Sequence, residues 1–236
     1  MNRLTECGVL SSALLLVSPG YGAPLSILDP AGPAAKDIVA VWWAMFWGGT
    51  LVLLVVTGLW LYAIFRRQRD YDEQGTKRVL RTMVYTGGIG LPTVSIVLLL
   101  VFGIPSGHSM LPWPGDDTLR INVHARQWAW EVHYPDEDLH FTDEIHLPAG
   151  TPVDIYVTSE DVIHGFWVPR LGGKIDAIPG KTNVIRLQAD KPGEYGGQCA
   201  EYCGQSHAFM HFKVVAHSET GFKSWLTTQR EGQHHE

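Results

Sequence analysis

Between Asp37 and Arg66 the chain reads "IVAVWWAMFWGGTLVLLVVTGLWLYAIF" without one charged side chain, and "TMVYTGGIGLPTVSIVLLLVFGIPSG" repeats the condition between Arg81 and His108. Each stretch exceeds the roughly 20 apolar residues that cross a bilayer as a helix. Trp42, Trp43 and Trp47 near one end of the first, and Trp60 and Tyr62 near the other, have the placement of interfacial aromatic belts. Gly87, Gly88, Gly90 and Pro92 would weaken a soluble helix but are tolerated in a membrane one. The expectation is a transmembrane hairpin within residues 23–110, with helices at about 38–65 and 83–104.

The segment between them, "RRQRDYDEQGTKRVLR", carries Arg66, Arg67, Arg69, Lys77, Arg78 and Arg81, and a short basic loop of this kind stays cytoplasmic. The mature N-terminus and everything after about residue 105 then lie outside the membrane. The start of the chain agrees. A basic Arg3, the apolar run Cys7 to Val17 and small residues at Gly20 and Gly22 read as a secretory signal peptide over residues 1–22, cleaved near Gly22. Cleavage removes Cys7 and leaves Cys199 and Cys203 in an oxidising compartment.

Residues 111–236 form the exported domain. From residue 105 onward the chain carries a net charge of −8, against +2 before it, which argues against a nucleic-acid partner and for a basic protein partner. "TLRINVHA" places Leu119, Ile121, Val123 and Ala125 on one face; "TPVDIYV" and "FKVVA" alternate in the same way, with turn signals between them. This patterning predicts a small Greek-key β-sandwich or barrel, closed by a short helix on Phe222, Trp225 and Leu226. In "RINVHARQWAWEVHYP" the alternation changes parity, which suggests a bulge or bend near Arg126.

The densest chemistry is "CAEYCGQSHAFM", residues 199–210. A structural zinc site uses paired Cys or His units at two places in the chain and no thioether, and a disulfide would leave His207 and Met210 unexplained. Thiolate, thioether and imidazole together select copper. Cys203, His207 and Met210 alone would suit a mononuclear blue-copper site, but Cys199 is then one thiolate too many. Two thiolates could instead bridge two copper ions, each needing a histidine, for which His164 in "SEDVIHGFWVP" is the second candidate. His108, His124, His133, His140 and His146 show no accompanying ligand pattern and read as surface or hydrogen-bonded residues.

The two N-terminal helices together with "QWAW" (127–130), "SEDVIHGFWVP" (159–169), "IDAIPG" (175–180) and "CAEYCGQSHAFM" resemble subunit II of the haem-copper cytochrome c oxidases, over roughly residues 26–230. The resemblance implies a cupredoxin domain with a binuclear copper A centre. Such a centre takes electrons from cytochrome c and passes them to haem in subunit I, where dioxygen is reduced to water with proton translocation. It implies copper ligands at His164, Cys199, Cys203, His207, Met210 and the Glu201 carbonyl, a magnesium shared with subunit I at the Glu201 side chain, and electron arrival at Trp128. The implied setting is a bacterial inner membrane, with subunit III as a further partner. Asp136, Glu137, Asp138 and Asp161 are the acids expected to dock a basic cytochrome.

Three positions depart from the family pattern: His211 stands where proline often follows the ligand methionine, Tyr85 where many members carry a proton-channel glutamate, and Ala129 where an aromatic is usual. The alternative reading is a membrane-anchored copper-binding or delivery protein without an oxidase partner. Against it, the donors converge on one site and the chain has only five Met. Quinol-oxidising relatives lack the copper cysteines, which this chain keeps.

Overall fold

A computed structural model describes residues 25–66, 72–108, 111–112 and 118–233. The expected signal peptide, residues 1–22, lies outside the described residues, as do Arg67 and Arg69 of the basic loop.

Helix α1 (Pro33–Phe65) opens on Pro33, whose missing N–H coincides with a donor that a helix start leaves unpaired in any case. The second apolar helix begins at Glu73 rather than near residue 83, as α2 (Glu73–Met83), a π-helical stretch Val84–Gly90 and α3 (Leu91–His108) in succession. Much of the expected loop is therefore helix. Asp72 caps it by accepting a hydrogen bond from the Gly75 N–H at 2.8 Å, and Glu73 pairs with Lys77 one turn on. These are polar helix signals that a count of apolar residues does not register. The π turn falls on the glycine-rich "VYTGGIG" and contains Tyr85. Both helices are long and apolar enough to cross a membrane, and the apolar windows are not covered by the rest of the described chain.

α1 spans about 50 Å at about 1.5 Å per residue, more than a hydrocarbon core of about 30 Å requires. Its first turn joins the β domain. Ala35 is buried, Lys36 pairs with Asp190 at 2.8 Å, and Arg170 pairs with Asp29 at 2.7 Å. Two backbone hydrogen bonds flank these pairs, from Ala31 N–H to the Arg170 carbonyl and from Asp190 N–H to the Ala31 carbonyl.

The domain beyond is a sandwich of two five-stranded sheets. One is ordered β3 (Leu139–Thr142), β2 (Ala129–Tyr134), β1 (Leu119–Arg126), β5 (Val153–Ser159), β8 (Asn183–Leu187). The other is ordered β4 (Glu144–Pro148), β10 (His211–His217), β9 (Gly193–Cys199), β6 (His164–Trp167), β7 (Lys174–Ala177). The alternating residues face each other across it: Ile121, Val123 and Ala125 from β1, Val153, Ile155 and Val157 from β5, and Phe212, Val214 and Ala216 from β10 are buried. Each of the larger of these contributes about 1.5–3 kcal/mol by leaving water. β1 runs parallel to β5 and β4 parallel to β10, so both sheets are mixed. The architecture is thus the expected one: an apolar helical hairpin, a cupredoxin-like sandwich and a C-terminal helix, α4 (Glu219–Gln233).

The parity change near Arg126 is not a bulge within one strand. Arg126 pairs directly with Ala129, so Gln127 and Trp128 are the two-residue turn of a hairpin, and the face changes because the chain reverses. That turn, the end of β5, the start of β6 and the β9–β10 loop meet at one end of the sandwich. The β2–β3 turn lies at the other end.

Candidate metal centre

Cys199 is the last residue of β9 and His164 the first of β6, and the pairing of Phe166 with Cys199 sets the two strands side by side. The chain then loops through Cys203 and a 3₁₀ turn, His207–Phe209, before β10 starts at His211. The Cys199 N–H donates to the Met210 carbonyl at 2.9 Å and closes the base of that loop.

Two glycines permit the closeness. A Cβ at Gly165 would stand 2.8 Å from the Ala200 carbonyl carbon and 2.9 Å from the Glu201 nitrogen, so β6 can lie against the loop only without a side chain there. Gly204 has φ +117 and faces the Gln127 amide and the Trp128 ring, which leaves no conformation for a substituted residue.

The donors converge. The Cys199 and Cys203 sulfurs are 3.8 Å apart, far beyond a disulfide bond of about 2.05 Å, and both cysteines are free and buried. His164 Nδ1 stands 4.0 Å from Cys199 Sγ, and His207 Nδ1 stands 3.6 Å from Cys203 Sγ. Met210 Sδ lies 3.7 Å from Cys203 Sγ, and the Glu201 carbonyl oxygen lies 3.2 Å from Cys199 Sγ. All six expected ligands are therefore at one place. The set fits a pair of soft metal ions: two thiolates, two imidazoles, a thioether and a carbonyl match copper's preferences, and no hard-cation oxygen cage is present among them.

Electrostatics adds to the fit. Burial pushes the Cys203 thiol up to about 12, and the neighbouring Cys199 pushes in the same direction. Two buried thiolates this close need a compensating cation, which deprotonates them on binding. His164 is fully buried, with Nε2 2.8 Å from Asp161 Oδ1. An ionised carboxylate only accepts, so Nε2 carries the proton and the Nδ1 lone pair is left facing the sulfurs. Burial alone would raise Asp161, but the His164 hydrogen bond and the N–H groups of Gln127 and Val162 bring it down to about 2. Trp130, also fully buried, packs edge-on to the His164 ring at 6.0 Å.

Trp128 and Trp130, two residues apart, have different fates. Trp128 is 38% exposed, and its indole N–H, like the Gln127 side-chain amide, donates to the Cys203 carbonyl, at 3.3 and 2.8 Å. On the two loops that carry the ligands, Val162, Ile163, Tyr202 and Phe209 are also exposed. Glu201 is exposed, with only its carbonyl turned inward.

The expected docking acids separate. Asp161 is at the site but engaged with His164 and Gln127. Asp136, Glu137 and Asp138 follow β2, whose six residues put them about 20 Å from Trp128 at about 3.3 Å per residue. There Glu137 pairs with Arg230 of α4, and Asp138 stands 3.6 Å from both His133 and His140. Two features leave only a faint trace in the sequence. The positioning role of Asp161 was visible only as its spacing of three from His164, and the meeting of His133 with His140 only as their symmetric placement about "PDED".

Residues 137–217 match the family model described as cytochrome c oxidase subunit II, periplasmic domain. The chain is 34% identical over 211 residues to cytochrome c oxidase subunit 2 of Alkalihalophilus pseudofirmus, covering 86% of this chain and 61% of that protein. By these comparisons the chain is similar to subunit II of cytochrome c oxidase, most directly over residues 137–217. The chain is also 29% identical to ubiquinol oxidase subunit 2 of Acetobacter aceti, over 95% of this chain and 74% of that one. Among solved structures, the periplasmic domain of oxidase subunit II from Bradyrhizobium japonicum is 35% identical, with 50% of this chain and 97% of that domain covered and a TM-score of 0.47. The chain spans less than two thirds of the length of the Alkalihalophilus subunit II.

Proposed function

We propose that this chain is the electron-accepting subunit of a haem-copper terminal oxidase, anchored by two membrane helices with its β domain on the outer face. It receives electrons from a cytochrome c and delivers them to the haem of subunit I, where dioxygen is reduced. The observation that carries this reading is the convergence of His164, Cys199, Glu201, Cys203, His207 and Met210 within contacts of 3.2–4.0 Å. Bound there, a copper A pair supplies a one-electron redox centre. The protein's part is to hold it: Cys199 and Cys203 provide the negative charge, Asp161 fixes the His164 tautomer, and the buried Trp130 and Phe166 exclude water.

Trp128 is the point of electron arrival. It touches the Cys203 backbone on one side and solvent on the other, and the exposed Val162, Ile163, Tyr202 and Phe209 on the ligand-bearing loops suit a partner protein's surface. The exposed Glu201 carboxylate is placed to share a magnesium ion with subunit I.

The relatives named quinol oxidase subunits give the competing reading. A subunit of that kind has no use for two buried free thiols beside two imidazoles, and this chain keeps both. Low-temperature electron spin resonance of the purified protein decides. A hyperfine pattern from one unpaired electron shared over two coppers supports the proposal, and a mononuclear pattern or silence overturns it.

A further inference from the structure

A second group of metal-ligating side chains lies at the other end of β2, outside everything assigned above. His133 and His140 are directly opposed on the antiparallel strands β2 and β3. Their rings stack, with centroids 4.3 Å apart and an interplanar angle of 10°. Both Nε2 atoms face Asp138 Oδ1, each at 3.6 Å. Asp138 is the last residue of the four-residue connection and has φ +53, a left-handed conformation that Asp tolerates better than most residues. That backbone turns its carboxylate over the histidine pair.

We propose that His133, Asp138 and His140 bind a divalent first-row transition cation, zinc or copper(II), at the solvent face of the β2–β3 hairpin. One imidazole nitrogen from each strand and one carboxylate oxygen form a three-ligand set that leaves the remaining positions to water. Ligands held about 2.0–2.2 Å from one ion in tetrahedral array stand about 3.3–3.6 Å from one another. The observed 3.6 Å from Asp138 to each histidine is at the upper end of that spacing, and all three ligand atoms already lie within 4.8 Å of one another. Imidazole disfavours calcium and magnesium, which take oxygen. The backbone is already in place, and closing on an ion asks only that the two stacked rings turn until their in-plane lone pairs converge: register fixes the two histidines, and the Glu137–Arg230 ion pair fastens the turn to α4.

The test is calorimetric titration of zinc chloride into the copper-loaded full chain in detergent. One saturable zinc equivalent is expected. His133→Asn and His140→Asn should each lower its affinity by more than the roughly 10–100-fold lost when a ligand's outer-shell partner is removed. Asp138→Asn, which keeps the turn's conformational tolerance, should weaken it as well. The copper spectrum, about 20 Å away by strand length, should stay unchanged in all three and reports that they are folded. His234→Ala with His235→Ala should leave the zinc equivalent intact. No saturable equivalent in the parent, one that survives the His133 and His140 changes, or one that disappears with His234 and His235 overturns the proposal.

Discussion

At the loop end of the sandwich, His164, Cys199, Cys203, His207 and Met210 approach one another at 3.6–4.0 Å. Beneath α4, at the opposite end, His146 meets His217 at 2.8 Å and Glu144 at 3.0 Å, while its ring lies flat on Trp225 with centroids 4.2 Å apart. Both ends bury imidazole in an all-β core. The lower cluster is complete, because its polar atoms satisfy one another at hydrogen-bond distance. In the upper one the sulfurs and the Nδ1 atoms of His164 and His207 face one another at 3.6–4.0 Å, spaced so that ions could sit between them. Buried polar groups are tolerated when paired, and a cluster whose inward-facing donors stand this far apart is the one suited to a ligand.

The largest effect should come from removing a thiolate. Cys199→Ser or Cys203→Ser is expected to abolish the two-copper spectrum, leaving at most one copper per chain, and His164→Ala should damage the same centre. Metal analysis with electron spin resonance checks this. A serine variant that kept two coppers and the parent spectrum would erase the contrast between the two ends.

Next comes Trp128→Gln. It should leave the copper spectrum nearly intact yet slow reduction by cytochrome c by orders of magnitude in stopped-flow measurement. Near-normal reduction would reduce Trp128 to packing.

Asp161→Asn sharpens the comparison from the ligand side. An amide oxygen can still accept from His164 Nε2–H but carries no charge, so copper affinity should fall roughly 10–100-fold in a chelator competition. An unchanged affinity would mean that burial alone orients His164.

The lower cluster should respond to acid instead of to metal. Burial, together with the neighbouring His217 and Lys213, holds His146 down to about 4 despite Glu144, and burial lowers His217 as well. The unfolded chain takes up its proton near 6.5, whereas the folded protein resists until about 4. Thermal stability should therefore decline as pH falls through that window, followed by near-ultraviolet circular dichroism. His146→Gln should flatten the slope, and an equally steep slope in that variant would place the titration elsewhere.

The smallest effect is expected from neutralising Asp136, Glu137 and Asp138 together. Set about 20 Å from Trp128, they can add only to long-range steering, and the loss in association rate should vanish above about 0.1 M salt. A loss that persists at high salt would mean the cytochrome docks on the hairpin turn.

What the sequence disclosed depended on how local each signal was. The ligand loop is nearly contiguous, so Cys199, Cys203, His207 and Met210 could be read as one group, and β1, β5 and β10 announce their buried faces by alternation. The early start of the second helix was hidden because its cap and ion pair are polar. The reversal at Gln127 and Trp128 was hidden because a hairpin turn and a bulge change parity alike. Strand pairing was out of reach altogether: nothing in the chain states that His133 faces His140, that Asp136 lies a strand's length from Trp128, or that Asp161 belongs to His164 rather than to a partner.

The first turn of α1 and the segment leading into it are fastened to the β domain by the ion pairs Lys36–Asp190 and Asp29–Arg170 and by two backbone hydrogen bonds through Ala31. A reactive group hung on a flexible tether meets its neighbour at an effective concentration set by how much volume the tether explores. Here that side of the tether has no free length. The loops of the candidate metal centre inherit the stance of α1, a helix long and apolar enough to cross a membrane, and the volume they search is fixed when the domain folds.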